Sequence, residues 1–123
     1  TDVCVPISRL ADCVTETHKD IEENGLIGPI VGHVGDGNFH VLVLTDLTDP
    51  EDIAKSEAFV ERLNYRAIEM GGTCTGEHGV GQGKMKYLPK EHGAGVAVMA
   101  AVKRSLDPLN IMNPGKIVSL DAK

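Results

Sequence analysis

Apolar residues recur along this chain with two alternating periods, and the switches between them divide it into elements. Asp2 to Ile7 alternates in the manner of a short strand. Ser8 is suited to capping a helix whose apolar positions Leu10, Cys13, Val14 and Ile21 share a face, and Asn24-Gly25 closes it. Ile27 to Val34 and Phe39 to Leu44 are β-rich runs on either side of Gly35-Asp36-Gly37-Asn38, which predicts a hairpin. Asp49-Pro50 opens a second helix, with Glu51 and Asp52 where the helix dipole favours acid, and Gly71-Gly72 ends it. Its buried face carries Phe59, Val60, Leu63, Ala67 and Met70. A short strand near Thr73 to Thr75, a glycine-rich stretch and a helix from Glu91 to Leu106 follow, the last stopped by Asp107-Pro108. From Leu109 to Lys123 the tail reads as irregular until Ile117-Val118.

The order β-α-β-β-α-β-α predicts an α+β fold. Its first six elements match the ferredoxin-like arrangement, an antiparallel sheet with both helices on one face and the other face free. With 123 residues, 41% of them hydrophobic, the chain has material for one compact domain, 1–123, and no repeat or linker divides it.

The hairpin carries the first chemical signal. If Asp36-Gly37 form a two-residue type I′ turn, Gly35 pairs with Asn38, Val34 with Phe39, and His33 with His40. Directly opposed residues hold their Cβ atoms about 4.5–5.5 Å apart, so the two imidazoles would converge on one cation. One hairpin face then reads Ile30, Gly32, Val34, Phe39, Val41 and Val43, fit to pack under helices. The other reads Val31, His33, His40, Leu42 and Leu44, a polar pair among aliphatics that suits a site beneath another domain.

A second signal lies in Thr73-Cys74-Thr75-Gly76-Glu77-His78-Gly79-Val80-Gly81-Gln82-Gly83, where a carboxylate and an imidazole stand among glycines that let backbone approach a ligand. Nucleotide motifs fail here on spacing. Counting back from Gly83-Lys84, a Walker A loop needs glycine where His78 stands, and Met85 replaces its Ser/Thr; Gly79-x-Gly81-x-Gly83 is one residue short of the Rossmann pattern. Two imidazoles and one carboxylate, His33, His40 and Glu77, are an inventory suited to Zn²⁺ or Mn²⁺ with a position open to substrate. His78 is left over as a base. Asp36 is a rival ligand, but its place in the turn favours a structural role.

Composition narrows the partners. A formal charge of −6, with only Tyr65, Tyr87, Phe39 and Phe59 able to stack on bases, argues against nucleic acid. Cys4, Cys13 and Cys74 form no C-x-x-C pair and read as reduced thiols of an intracellular compartment. No apolar run is long enough for a membrane span. The chain begins at Thr1 and enters a strand-like run at once, as an excised piece or a processed product would.

Taken with Asn113-Pro114-Gly115-Lys116, the Gly32-His33-Val34-Gly35-Asp36-Gly37-Asn38-Phe39-His40 and Gly76-Glu77-His78-Gly79 motifs resemble the C-terminal portion of the FAD-linked oxidases of the vanillyl-alcohol-oxidase superfamily. The nearest branches are those of D-lactate dehydrogenase (cytochrome type), glycolate oxidase and D-2-hydroxyglutarate dehydrogenase. The resemblance runs over nearly the whole chain, and family members are longer, with an N-terminal FAD domain and an earlier part of the cap (substrate) domain. It implies that His33, His40 and Glu77 bind the divalent metal, and that His78 removes the hydroxyl proton of a 2-hydroxy acid as hydride passes to FAD. It implies also that Asn113 and Lys116 lie near the flavin, and that an electron acceptor stands downstream of it. Relatives of the hydroxyglutarate type carry Asn two positions after the second metal histidine; Leu42 stands there, which favours a small or aliphatic substrate such as D-lactate. Lys84 and Lys86 are candidates for the substrate carboxylate. Location would be cytoplasmic in a bacterium and mitochondrial in a eukaryote.

Two other readings use the same residues: a mononuclear metallohydrolase, in which the ion activates water, and a non-catalytic metal-binding module of ferredoxin-like form. The apolar free face and the sheet edges further predict a homodimer.

Overall fold

The computed structural model describes residues 1–120, and residues 121–123, the end of the predicted domain and tail, lie outside them. The chain divides into two compact units, Thr1–His78 and Gly79 onward.

The first unit holds β1 (Val3–Cys4), α1 (Ile7–Glu23), β2 (Ile30–His33), β3 (Asn38–Val41) and α2 (Pro50–Glu69). All pairings are antiparallel in the order β1-β3-β2. Thr73 forms a single bridge with Cys4, so the predicted strand at Thr73 to Thr75 is reduced to one antiparallel contact beside β1. The strands are shorter than the alternation suggested because prolines interrupt them. β1 stops before Pro6, and Pro29 separates β2 from the Ile27–Leu44 bridge.

The alternation nonetheless assigns the faces correctly. Val3, Phe39 and Val41 point to the side where Cys13 and Ile21 of α1 and Phe59, Leu63 and Ala67 of α2 close the core. An α+β fold with helices packed on one sheet face is thus what the sequence builds. α2 starts as predicted: Asp49 accepts a hydrogen bond from Glu51 N at 2.9 Å, and Pro50 occupies the first turn. α1 does not start at a Ser8 cap. It begins at Ile7 with Pro6, at φ −50 and ψ 138, in the capping position and no side-chain cap, and the Pro6 carbonyl accepts from Arg9 N at 2.7 Å.

Between the helices Asp20 is buried and accepts from Arg62 Nη2 at 2.6 Å and Arg66 Nη2 at 2.7 Å. Burial alone would raise the pKa of this carboxyl. The hydrogen bonds and charges of the two arginines outweigh burial and hold it below its ordinary value.

The predicted hairpin turn is the main correction. Val34–Asp36 form a 3-10 turn, with Gly37 in the left-handed region at φ +76. The loop is four residues long, and His33 therefore pairs with Asn38 and Val31 with His40, in place of His33 with His40. Contacts with β1 and the residue after it select the longer loop: Val5 N donates to Gly37 O at 3.0 Å and Cys4 Sγ to Asp36 O at 3.2 Å. The register moves by two residues, an even number, so every side chain on the paired strands keeps its predicted face. Val34 alone leaves the packed face and is exposed.

In the second unit the single predicted helix is two, α3 (Leu88–His92) and α4 (Gly95–Leu106). Gly93, at φ 52 and ψ −124, adopts a backbone conformation that interrupts the hydrogen-bond ladder between them. α4 ends at Asp107 as predicted, and this carboxylate accepts from Ile111 N at 3.0 Å, Met112 N at 2.9 Å and Lys103 Nζ. The described tail is irregular, as read from the sequence, and Ile117 N returns to Gly81 O at 2.8 Å.

Candidate metal centre

The helix-free face of the sheet gathers His33 and Asn38 in one cross-strand row and Val31 and His40 in the next. His33 and His40 are diagonal neighbours, with ring centroids 6.1 Å apart and planes at 87°. The loop after Thr73 brings Glu77 and His78 over them. Glu77 Oε1 lies 3.1 Å from His40 Nε2, 3.5 Å from His33 Nε2 and 3.7 Å from His78 Nε2. One carboxylate oxygen thus faces three imidazole nitrogens. His78 stacks on His40 with centroids 4.9 Å apart and planes 9° from parallel.

The floor of this cluster is buried and its top is open. The His40 side chain is 11% exposed, against 63% for His33, 61% for His78 and 47% for Glu77. The ligand atoms of His33, His40 and Glu77 all lie within 4.8 Å of one another, close enough to share one ion. The donors also suit a cation chemically. His40 Nδ1 is 3.0 Å from the Thr1 carbonyl, a contact that requires a proton on Nδ1. His40 Nε2 then faces Glu77 Oε1 at 3.1 Å, a contact that a proton or a cation shared between the two atoms satisfies. A histidine whose second nitrogen donates to a carbonyl is the usual form of a metal ligand.

Asp2, His40 and His78 form a second close set. It makes a poor ligand set, because the Asp2 carboxylate is already committed to N–H donors: Asn38 Nδ2 at 2.8 Å, Glu77 N at 3.1 Å and His78 N at 2.9 Å. Asp2 lies outside every motif in the sequence, and Asn38, inside the hairpin motif, reads there as a turn residue. The signal that would have found Asp2 is register: Val3 pairs with Phe39 and Cys4 with Asn38, which sets Asp2 opposite His40 on the helix-free face. The fit here is tight. A Cβ on Gly76 would stand 1.9 Å from Asn38 Nδ2 and 2.6 Å from Asp2 Oδ1, so glycine is required for the loop to reach this floor.

Other predicted residues are placed elsewhere. Asp36 belongs to neither close set among the described residues, in keeping with its structural place in the turn. Leu42, 51% exposed, continues the helix-free face beyond His40, and Val31 and Leu44 on that face are also exposed. Asn113 and Lys116 belong to the second unit, where they line a groove of about 440 Å³ with Val98 and Val102 of α4 and with Met112 and Ile117. Lys84 and Lys86 also lie in that unit, Lys86 Nζ 5.1 Å above the Tyr87 ring. Among the described residues no helix is long and apolar enough to cross a membrane.

Comparison with known proteins adds an independent line. The family model described as FAD linked oxidases, C-terminal domain, matches residues 1–117. The chain is 53% identical over 98% of its length to a protein named probable D-lactate dehydrogenase, mitochondrial, of Danio rerio, and covers 24% of that protein. It is 44% identical over 96% of its length to the mitochondrial D-lactate dehydrogenase [cytochrome] of Arabidopsis thaliana, covering 21% of it. Similarity to glycolate oxidase subunit GlcD of Bacillus subtilis is 38% identity over 99% of the chain and 26% of that protein. The chain thus spans about a quarter or less of the length of these relatives. A match across nearly the whole chain, at these identities, places it in the family of FAD linked oxidases, as a C-terminal domain of that kind.

Proposed function

We propose that this chain is the metal-binding and proton-accepting part of an FAD-linked D-2-hydroxy-acid dehydrogenase, with D-lactate or a similarly small aliphatic acid as substrate. The observation that carries the reading is the meeting of His33, His40 and His78 Nε2 atoms around Glu77 Oε1. His33, His40 and Glu77 would hold a divalent ion, Zn²⁺ or Mn²⁺, which when bound supplies positive charge that acidifies a neighbouring hydroxyl. His78, beside the ligands and open to solvent, accepts the hydroxyl proton at Nε2. Leu42, Val31 and Leu44 offer the aliphatic part of a substrate an apolar wall on the same face.

FAD supplies the two-electron oxidation in this class. The first unit has no parallel strand pair and the glycine-rich stretch follows no strand, so the described residues do not form a Rossmann-type dinucleotide site. The cofactor would be held chiefly by a further domain, with Asn113 and Lys116 reaching it from the groove of the second unit. An electron acceptor reoxidises it, the protein works as a homodimer, and the mitochondrial names of relatives favour that organelle in a eukaryotic source. No observation favours the hydrolase or the non-catalytic module over this reading.

The test separates ligand from base. In the complete protein, His33→Ala, His40→Ala and Glu77→Ala are expected to strip the metal and most activity, with metal content read by elemental analysis. His78→Asn is expected to keep the metal while kcat for D-lactate falls by roughly 10²–10⁴-fold. Stoichiometric metal retained in both His33→Ala and His40→Ala would defeat the ligand assignment.

A further inference from the structure

Asp2 lies outside every motif and has no role in the chemistry just proposed, yet its carboxylate is almost fully buried, at 1% exposure. A charge so enclosed must be compensated. Its Oδ2 accepts from His78 N at 2.9 Å and Glu77 N at 3.1 Å, and its Oδ1 accepts from Asn38 Nδ2 at 2.8 Å. Asn38 donates its other amide proton to Val3 O at 2.9 Å. Asp2 Oδ1 also stands 3.7 Å from His40 Nδ1.

The Thr73–Cys4 bridge ties the start of the loop after Thr73 to β1, and the bonds to Asp2 carry the tie on to Glu77 and His78 themselves. His33 and His40 are fixed by the sheet. Glu77 and His78 sit on a loop with glycine on both sides, Gly79 at φ +80, and with no helix or strand to define it. Such a backbone has more freedom than a multidentate site tolerates, since ligand groups must be held to about 0.5 Å. A carboxylate that takes the amide protons of two successive residues fixes both Cα positions at once.

We infer that Asp2 is the positioning residue of the metal centre: its buried carboxylate clamps the Glu77 and His78 amides and, through Asn38, locks that loop to the strand that carries His40. The inference rests on the metal reading above. Asp2 acts through Glu77 and His78 and does not itself ligate.

Titration of the 123-residue chain with Zn²⁺ by calorimetry, with Co²⁺ absorption as a geometric readout, tests it. Asp2→Asn puts N–H donors where acceptors are needed. It is expected to weaken Zn²⁺ binding about 10–100-fold, the usual cost of losing a residue that orients ligands, and to alter the Co²⁺ d–d bands while circular dichroism stays that of the parent. Asn38→Ala removes the strut and leaves the clamp, so its smaller loss, of several-fold, is the measurement that decides if Asp2→Asn fails to fold. In the unsubstituted, metal-free chain the Glu77 and His78 amides are expected to be protected from hydrogen exchange. A folded Asp2→Asn or Asn38→Ala chain that binds Zn²⁺ within twofold of the parent, or unprotected Glu77 and His78 amides, would overturn the inference. Parental affinity in His33→Ala and His40→Ala would instead overturn the metal reading beneath it.

Discussion

Gly35 and Gly37 flank the same aspartate but are asked for different things. A Cβ on Gly35 would meet nothing within 4 Å, whereas one on Gly37, at φ +76, would lie 2.0 Å from the Val5 carbonyl oxygen. Gly37→Ala is therefore expected to destabilise the fold by at least about 1–3 kcal/mol, the cost of strained backbone before the clash is added, while Gly35→Ala stays within about 0.5 kcal/mol of the parent. Urea denaturation of the two proteins checks the pair. The same contrast shows what a single residue reveals in sequence. The chemistry of His33, His40, Glu77 and His78 is legible because imidazole and carboxylate are rare in a β-rich run or among glycines. That of Asp2 is not, because its meaning lies in His78, 76 residues away.

Elements are legible where their boundaries are local. The start of α2 is written in Asp49-Pro50 and its end in Gly71, at φ +79, all within bonding reach of the helix itself. The hairpin loop escapes a local reading because its length is decided by bonds from Val5 and Cys4, on another segment, and the break at Gly93 in the helix predicted from Glu91 escapes it because glycine is tolerated in many helices but interrupts this one. Neither choice is visible in the loop or helix alone. The pairing of α1 with α2 through Asp20 has a measurable signature. Asp20→Asn leaves Arg66, 16% exposed, with only the exposed Glu16 carboxylate 3.6 Å from its Nε, and should cost about 2–4 kcal/mol near neutrality, at the lower side of values for broken buried pairs because that partner remains and Arg62 is 41% exposed. The Asp20 carboxyl titrates below its ordinary value in the folded chain, so its stabilisation is present above the unfolded pKa and lost as pH falls through the folded one. The gap between parent and Asp20→Asn should thus be constant from neutrality to about pH 5 and close below about pH 4. Thermal unfolding at a series of pH values measures it, and a gap that widens on acidification would contradict the arrangement.

At the scale of the whole molecule, the exposed aliphatics of the helix-free face and the outer edge of β2 remain to be covered. Val31 is 48%, Leu42 51% and Leu44 61% exposed, and among the described residues β2 pairs on one side only. An apolar face beside an open strand edge favours association. The 123-residue chain alone is expected to retain no FAD, to leave D-lactate unoxidised and to dimerise at micromolar concentration. Light scattering reads the last point, and Val31→Lys, which places a charge on the edge strand, is expected to shift the population toward monomer. A monodisperse monomer from the parent would show that this face is stable in water.

The bond from Asp2 to the His78 amide closes 76 residues of chain, and this bears on when the centre forms as well as on where it is. Closing so long a loop costs entropy that only near-complete folding repays, and contacts of this range are made late. On that expectation His33 and His40 would come together with their hairpin, and Glu77 would join them after β1 has docked. A divalent ion would then find a full set of ligands in the native chain and at most a pair before the folding barrier. Saturating Zn²⁺ should accordingly leave the refolding limb of a stopped-flow chevron almost unmoved and slow the unfolding limb by a factor that grows with concentration. Equal acceleration of refolding would mean that the ligands meet early. On this ordering a bound ion would work as a latch, setting how long the folded state persists while the chain alone sets how fast it is reached.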